Sequence, residues 1–183
     1  MASSGSELAK PPDPIGRAML YALSFSPFLI YAFGALFPPG EQSELVDLRP
    51  PSWLFGLAWG VLVFGLVGTC LAIVWKDGGS TTVTSVFVVL TTAYVTMACL
   101  WLVLYNGGRC GKKKEEPKEN VDILKKNRKA AAAVLLIATF VAATLLVSAV
   151  VSPMRAFAFA VPLLLLLWSC FATALNTLEV RLL

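Results

Sequence analysis

The chain has 183 residues, of which 57% are hydrophobic and 14% are charged. Soluble domains are usually about 45–50% apolar and about 25% charged, so this composition indicates a membrane protein. The chain has no histidine, and its four cysteines form no CxxC pair. A zinc site or a redox motif is therefore not indicated, and the lack of histidine weakens the case for an enzyme.

The formal net charge of +4 belongs to one segment of the sequence. Nine of the 15 lysines and arginines lie between Arg109 and Lys129. Such clustering gives no reason to expect nucleic-acid binding. We interpret the segment first as a solvated connector between spans. The alternative is a docking site for acidic lipid headgroups or a partner protein, although its four carboxylates dilute that effect.

Five apolar stretches are long enough to cross a bilayer core, which needs about 20 residues in a helix. They cover about 15–37, 52–75, 81–106, 129–151 and 155–180. Because hydrocarbon offers no partners for backbone groups, such stretches must be helical. We predict an all-α integral membrane protein, a five-transmembrane-helix bundle. The membrane domain covers 15–183 and contains a basic loop at 107–128, after a polar, Pro-rich segment at 1–14.

The first span contains Pro27 and the fifth contains Pro162, which tend to kink their helices. The second span contains Gly56 and Gly60 at GxxxG spacing. We interpret this pair as a packing face within the chain, with a homodimer face as the alternative.

The orientation follows from the positive-inside rule. Five spans place 11 lysines and arginines on the side of the 107–128 loop and four on the other side. The basic loop and the C-terminus are therefore expected in the cytosol. Trp53, Trp75 and Trp101 lie near span ends, as an aromatic belt requires.

Charged side chains are rare within the spans. Arg17, Arg155 and Glu179 are predicted at span ends, where they can reach the interface. No acidic relay or charged ring suggests a channel or a proton-coupled transporter. If the second and fifth spans are neighbours, the indoles of Trp53, Trp59 and Trp168 would line one cavity for a flat hydrophobic ligand. The alternative is that these are core or interface tryptophans.

Two segments resemble a known family. "PPSWLFGLAWG" at 50–60 is similar to the motif that opens the second helix of the translocator-protein (TspO, peripheral-type benzodiazepine receptor) family. "WSCFATALN" at 168–176 resembles the WxxFAxxLN of that family's fifth helix. The chain departs from the pattern at Leu57, Val63 and Val180, and its third helix keeps only Trp101 and an aromatic residue at 105.

This resemblance implies a membrane receptor or carrier without catalytic residues, metal or intrinsic cofactor. Family members bind porphyrins and other flat hydrophobic ligands, and in animals cholesterol, inside the bundle. The expected ligand is therefore a tetrapyrrole such as porphyrin or haem, or a sterol. The residues that the resemblance assigns to the site are Phe55, Gly56, Ala58, Trp59, Trp168, Ala172, Leu175 and Asn176. Asn176 has the alternative of a structural role, bonding across helices.

The resemblance also bears on location and partners. It implies a mitochondrial membrane in animals and bacterial membranes elsewhere. The expected partners are the lipid bilayer, a hydrophobic small molecule and, through assembly, a homodimer or a larger membrane complex. The alternative function is a non-catalytic structural accessory subunit of such a complex, built on the same scaffold.

Overall fold

The computed structural model describes residues 14–34, 50–77, 82–105, 121–150 and 155–182. They form five helices: α1 (Pro14–Gly34), α2 (Ser52–Asp77), α3 (Thr82–Tyr105), α4 (Val121–Val150) and α5 (Arg155–Leu182). All five are long and apolar enough to cross a membrane. The predicted all-α five-helix membrane bundle is confirmed. Residues 1–13 and 106–120, which hold most of the predicted N-terminal segment and basic loop, lie outside the described residues.

Helix α4 begins earlier than hydropathy predicts. It starts at Val121 rather than near 129, so the charged residues of 121–128 are helical. Lysine and arginine are good helix formers, so a helix can continue through them. Their low hydropathy means only that this part of the helix lies outside the hydrocarbon. At 1.5 Å per residue, 30 residues reach about 45 Å, which exceeds a bilayer core of about 30 Å. The first turns of α4 therefore extend past the apolar region.

The helices form a closed ring in the order α1, α2, α5, α4 and α3. Helices α2 and α5 are neighbours, as the cavity hypothesis required. The closest packing is of α4 against α5 and α3, whereas α2 packs less closely on α5. No Cα atom of α3 lies within 8 Å of a Cα atom of α5 in the described helices. Side chains alone must therefore fill the space between α3 and α5.

The buried positions of α4 alternate four and three residues apart, which is the heptad spacing of closely packed helices. Most of them are alanines, which let neighbouring backbones approach. The row consists of Ala131, Leu135, Ala138, Ala142, Leu145 and Ala149. Its small side chains explain why α4 holds both α3 and α5 at short distance.

Helix α1 packs against α2 and α3 and is otherwise mostly exposed to the surroundings. Pro27 cannot donate to the carbonyl of Leu23. Instead the hydroxyl of Ser26 donates to that carbonyl at 2.7 Å and lies 3.1 Å from the hydroxyl of Thr92 on α3. The break in the backbone ladder is thus repaired locally, and α1 is fastened to α3 at the same point.

The GxxxG pair of α2 packs within the chain. The hydroxyl of Tyr31 on α1 donates to the carbonyl oxygen of Gly56 at 3.1 Å. A Cβ atom on Gly60 would lie 3.4 Å from the same hydroxyl. This contact supports the interpretation as an intrachain face between α1 and α2.

Candidate functional site

Aromatic rings from α2, α3 and α5 meet in the interior. Trp59 of α2 is only 6% exposed. Its ring centroid lies 5.9 Å from that of Tyr94 and 6.2 Å from that of Trp101, both on α3. Phe55 reaches across to α5, where its ring centroid lies 5.2 Å from that of Trp168. These rings form an aromatic wall, defined here as Phe55, Trp59, Tyr94, Trp101 and Trp168.

Two donors of the aromatic wall have no acceptor in the part of the chain that the structure describes. The indole nitrogens of Trp59 and Trp168 are shielded from solvent and lack a hydrogen-bond partner among the described residues. Leaving a buried donor unsatisfied costs about 1–3 kcal/mol. Buried polar groups in native proteins are usually paired, so an unpaired donor calls for an explanation such as a bound molecule. A ligand with an acceptor oxygen or nitrogen would supply the missing partner.

Three side-chain pairs link α3 and α5, and two of them include the wall residues Tyr94 and Trp101. The hydroxyls of Tyr94 and Ser169 lie 2.6 Å apart. The indole N–H of Trp101 donates to Oδ1 of Asn176 at 3.2 Å. The hydroxyl of Tyr105 lies 2.9 and 3.2 Å from the two carboxylate oxygens of Glu179. These pairs, called the α3–α5 ladder below, span a gap that the backbones do not bridge.

The ladder follows one register along two parallel helices. Tyr94 and Trp101 are seven residues apart on α3, and Ser169 and Asn176 are seven apart on α5. A spacing of seven keeps residues on the same face of a packed helix. Tyr94 and Ser169 were not among the predicted site residues, although this matched spacing of polar-tipped residues was a signal that could have found them. It also shows Asn176 in the structural role given as its alternative.

A buried ion pair ends the ladder. Glu179 is only 1% exposed, and its Oε1 lies 3.6 Å from a terminal guanidinium nitrogen of Arg128 on α4. The guanidinium carbon lies 3.3 Å from the centroid of the Tyr105 ring. The prediction that Glu179 reaches the interface was therefore wrong, because Tyr105 and Arg128 supply its partners inside the bundle. Arg128 was missed because hydropathy places it in the loop.

The predicted aromatic belt is corrected at one position. Trp53 and Trp75 are 66% and 82% exposed, as a belt requires. Trp101 is only 4% exposed and bonds to Asn176 instead. Its indole N–H finds a protein acceptor in the interior, so it has no need of the interfacial water that belt tryptophans use.

The structure brings most of the expected site residues to the interior but not all. Phe55, Trp59, Ala172, Leu175 and Asn176 are buried, and Ala58 and Trp168 are half-buried. Gly56 is exposed, and its carbonyl faces Tyr31 of α1. The structure locates two of the residues that depart from the family motif. Leu57 is exposed on the outer face, and Val63 is buried in the core. The Leu57 departure therefore leaves the aromatic wall intact.

Comparison with known proteins agrees with this architecture. The model of the TspO/MBR family matches residues 26–113, which include α2, α3 and the last turns of α1. A search of curated proteins finds no match. The α5 motif that faces the aromatic wall lies beyond the matched stretch and has the order and spacing of the same family. The chain is a five-helix integral membrane protein whose residues 26–113 are similar to the TspO/MBR family.

Proposed function

We propose that this protein is a translocator-like membrane receptor or carrier that binds a flat hydrophobic ligand against the aromatic wall. The observation that carries the proposal is the pair of buried indole N–H groups of Trp59 and Trp168, which have no hydrogen-bond partner within the described part of the chain. The expected ligands are a tetrapyrrole such as protoporphyrin or haem, or a sterol. Each combines a flat apolar body with at least one polar acceptor.

The route to this site runs between α2 and α5. Phe55 and Trp168 are in ring contact there, and this pair of helices packs less closely than α4 and α5 do. A ligand entering from the bilayer would have to separate the two rings. Aromatic contacts of this kind contribute about 0.5–1.5 kcal/mol, so their loss is small against the burial of a large flat molecule.

A binding assay on purified protein in lipid nanodiscs tests the proposal. One arm follows the Soret absorbance of protoporphyrin IX, and a second follows radiolabelled cholesterol. Trp59→Phe and Trp168→Phe each keep an aromatic ring but remove the N–H donor. We expect each to weaken binding of the preferred ligand about tenfold, the effect of one lost hydrogen bond of about 1.4 kcal/mol.

Trp75→Phe is the matched control, because Trp75 is exposed and lies far along α2 from Trp59. It should leave the dissociation constant unchanged. The proposal is rejected if neither ligand binds saturably, or if all three tryptophan variants bind as the wild type does. In that case the role of accessory subunit gains support, and migration of gently extracted protein in a large complex on a native gel would favour it.

The orientation and the membrane are part of the same proposal. The end of the bundle that carries the α3–α4 connection is cytosolic, since the basic residues are concentrated there, and the family resemblance points to a mitochondrial membrane. Fractionation of cells expressing a tagged chain, followed by protease protection of tags at each terminus, tests both points. Protection of a C-terminal tag in sealed organelles would reverse the orientation.

A further inference from the structure

Three helix ends are joined by one buried cluster. Tyr105 is the last residue of α3, Arg128 lies two turns into α4, and Glu179 lies one turn before the end of α5. All three side chains are buried. The cluster therefore closes the end of the bundle at which α3 finishes and α4 begins, and it links the three helices that enclose the α3–α5 ladder.

The three groups complement one another chemically. The Tyr105 hydroxyl donates to the carboxylate of Glu179, Arg128 forms the ion pair with the same carboxylate, and the guanidinium lies over the Tyr105 ring. A cation over an aromatic face is attracted by the ring, more so away from water. A buried charge that loses its partner is strongly unfavourable. Each group therefore helps to hold the other two in place.

The cluster is continuous with the aromatic wall. The ring centroid of Tyr105 lies 5.6 Å from that of Trp101, which in turn lies 6.2 Å from that of Trp59. Asn176, which accepts from Trp101, lies on α5 one turn before Glu179. A shift of Tyr105 or of the end of α5 would therefore move the α3 side of the wall.

We propose that Arg128 and Glu179 are positioning residues for the ligand site: their ion pair holds Tyr105, and through Tyr105 it sets the orientation of Trp101 in the aromatic wall. This inference rests on the proposed function in so far as it concerns ligand binding. Neither residue needs to touch the ligand. The pair acts from the closed end of the bundle on the face that the ligand contacts.

Three variants and a matched control test the inference. Arg128→Met removes the cation, Glu179→Gln removes the charge but keeps an acceptor for the Tyr105 hydroxyl, and the double variant combines them. Arg181→Met is the control, because Arg181 is exposed on the last turn of α5 and the same charge is lost. The readouts are the near-UV circular dichroism of the ligand-free protein and the dissociation constant of protoporphyrin IX.

We expect Arg128→Met to change the near-UV spectrum and to weaken protoporphyrin binding about tenfold, within the range of couplings carried through packed networks. The double variant should recover the wild-type spectrum and come within about twofold of wild-type affinity, since neither charge of the ion pair remains. Arg181→Met should match the wild type in both. A general loss of packing would not be repaired by a second substitution.

Two results would overturn the inference: a near-UV spectrum of Arg128→Met identical to that of Arg181→Met, or no recovery in the double variant. If Arg128→Met loses its far-UV helical signal, Arg128→Lys replaces it. That variant keeps the charge but loses the planar guanidinium, so it should show a smaller spectral change. If the wild type binds no protoporphyrin, the proposed function fails, while the spectra still decide whether the pair positions Trp101.

Discussion

Polar groups in the described part of the bundle interior are paired between α3 and α5, but two of them lack acceptors where α2 meets α5. Along the α3–α5 ladder, the α3 donors Tyr94, Trp101 and Tyr105 each meet an acceptor on α5. On the α2 side, the indole N–H groups of Trp59 and Trp168 have no acceptor among the described residues. The paired side fixes how α3 and α5 lie relative to each other, and the unpaired side leaves hydrogen-bonding capacity for a bound molecule.

The contrast between paired and unpaired polar groups is more informative in a membrane than it would be in water. Helices in lipid gain little from apolar burial, so packing and interhelical hydrogen bonds select the arrangement. The α4 alanines provide the packing, and the ladder provides the bonds across a gap where backbones do not meet. Donors left unpaired in such an interior are unfavourable unless something else satisfies them.

The largest expected effect comes from comparing Trp101→Phe with Trp59→Phe. Both substitutions remove a similar part of a buried ring. Only Trp101→Phe leaves Oδ1 of Asn176 without its donor. We therefore expect Trp101→Phe to lower the free energy of unfolding by about 1–3 kcal/mol more than Trp59→Phe does. Unfolding in mixed micelles with increasing SDS, followed by far-UV circular dichroism, measures the difference.

Equal losses in these two variants would mean that the hydrogen bond to Asn176 adds nothing to stability. The distinction between a paired and an unpaired side would then have no energetic basis. Trp75→Phe serves as the baseline, because its side chain is exposed and its loss should leave the unfolding midpoint unchanged.

Hydropathy predicted the number of helices and most of their ends, because a span must cross a bilayer of fixed thickness. It missed the start of α4, where the helix continues into charged residues. Of the motif residues, Phe55 and Trp168 are in ring contact and Trp59 is buried, while their part in ligand binding stays a prediction. What hydropathy could not provide is the inner face of each helix, since lipid is as apolar as leucine and the outer face is equally hydrophobic.

The ladder shows which signal remains when hydropathy is uniform. Ser169, Asn176 and Glu179 are polar residues at spacings of seven and three on an otherwise apolar helix. Read as one face, they predict an inward-facing polar row. Arg128 offered no such signal, because its burial depends on α4 beginning at Val121 and on Tyr105 ending α3 at the same level.

A smaller effect concerns the contact between α2 and α5 beside the aromatic wall. A Cβ atom on Gly65 would lie 3.1 and 3.2 Å from the methyl carbons of Val161, whereas nothing lies within 4 Å of one on Gly68. Gly68→Ala should therefore stabilise the protein by about 0.4–1 kcal/mol. Gly65→Ala should lose that gain, because Val161 must move. The SDS unfolding assay compares them.

Adding Val161→Ala to Gly65→Ala relieves the crowding and should return part of the gain. If Gly65→Ala alone stabilises as much as Gly68→Ala, the approach of α2 to α5 is not limited at this glycine. The loose contact through which we propose the ligand enters would then extend along more of α2.

The smallest effect tests a single rung of the ladder. The Ser169 hydroxyl donates to the carbonyl of Leu165 at 2.7 Å, so its one hydrogen is used and Tyr94 must be the donor between the two hydroxyls. A double-mutant cycle with Tyr94→Phe and Ser169→Ala should give a coupling of about 0.6 kcal/mol, the average for interhelical hydrogen bonds in membranes. The same cycle with Thr177→Val in place of Ser169→Ala should give none, because Thr177 is exposed and its hydroxyl bonds, among the described residues, to Thr173 of its own helix. A coupling near zero for Tyr94 and Ser169 would leave the register of α3 and α5 to the lower rungs, Trp101 with Asn176 and Tyr105 with Glu179. The positioning pair would then carry more of the order of the aromatic wall than the ladder above it.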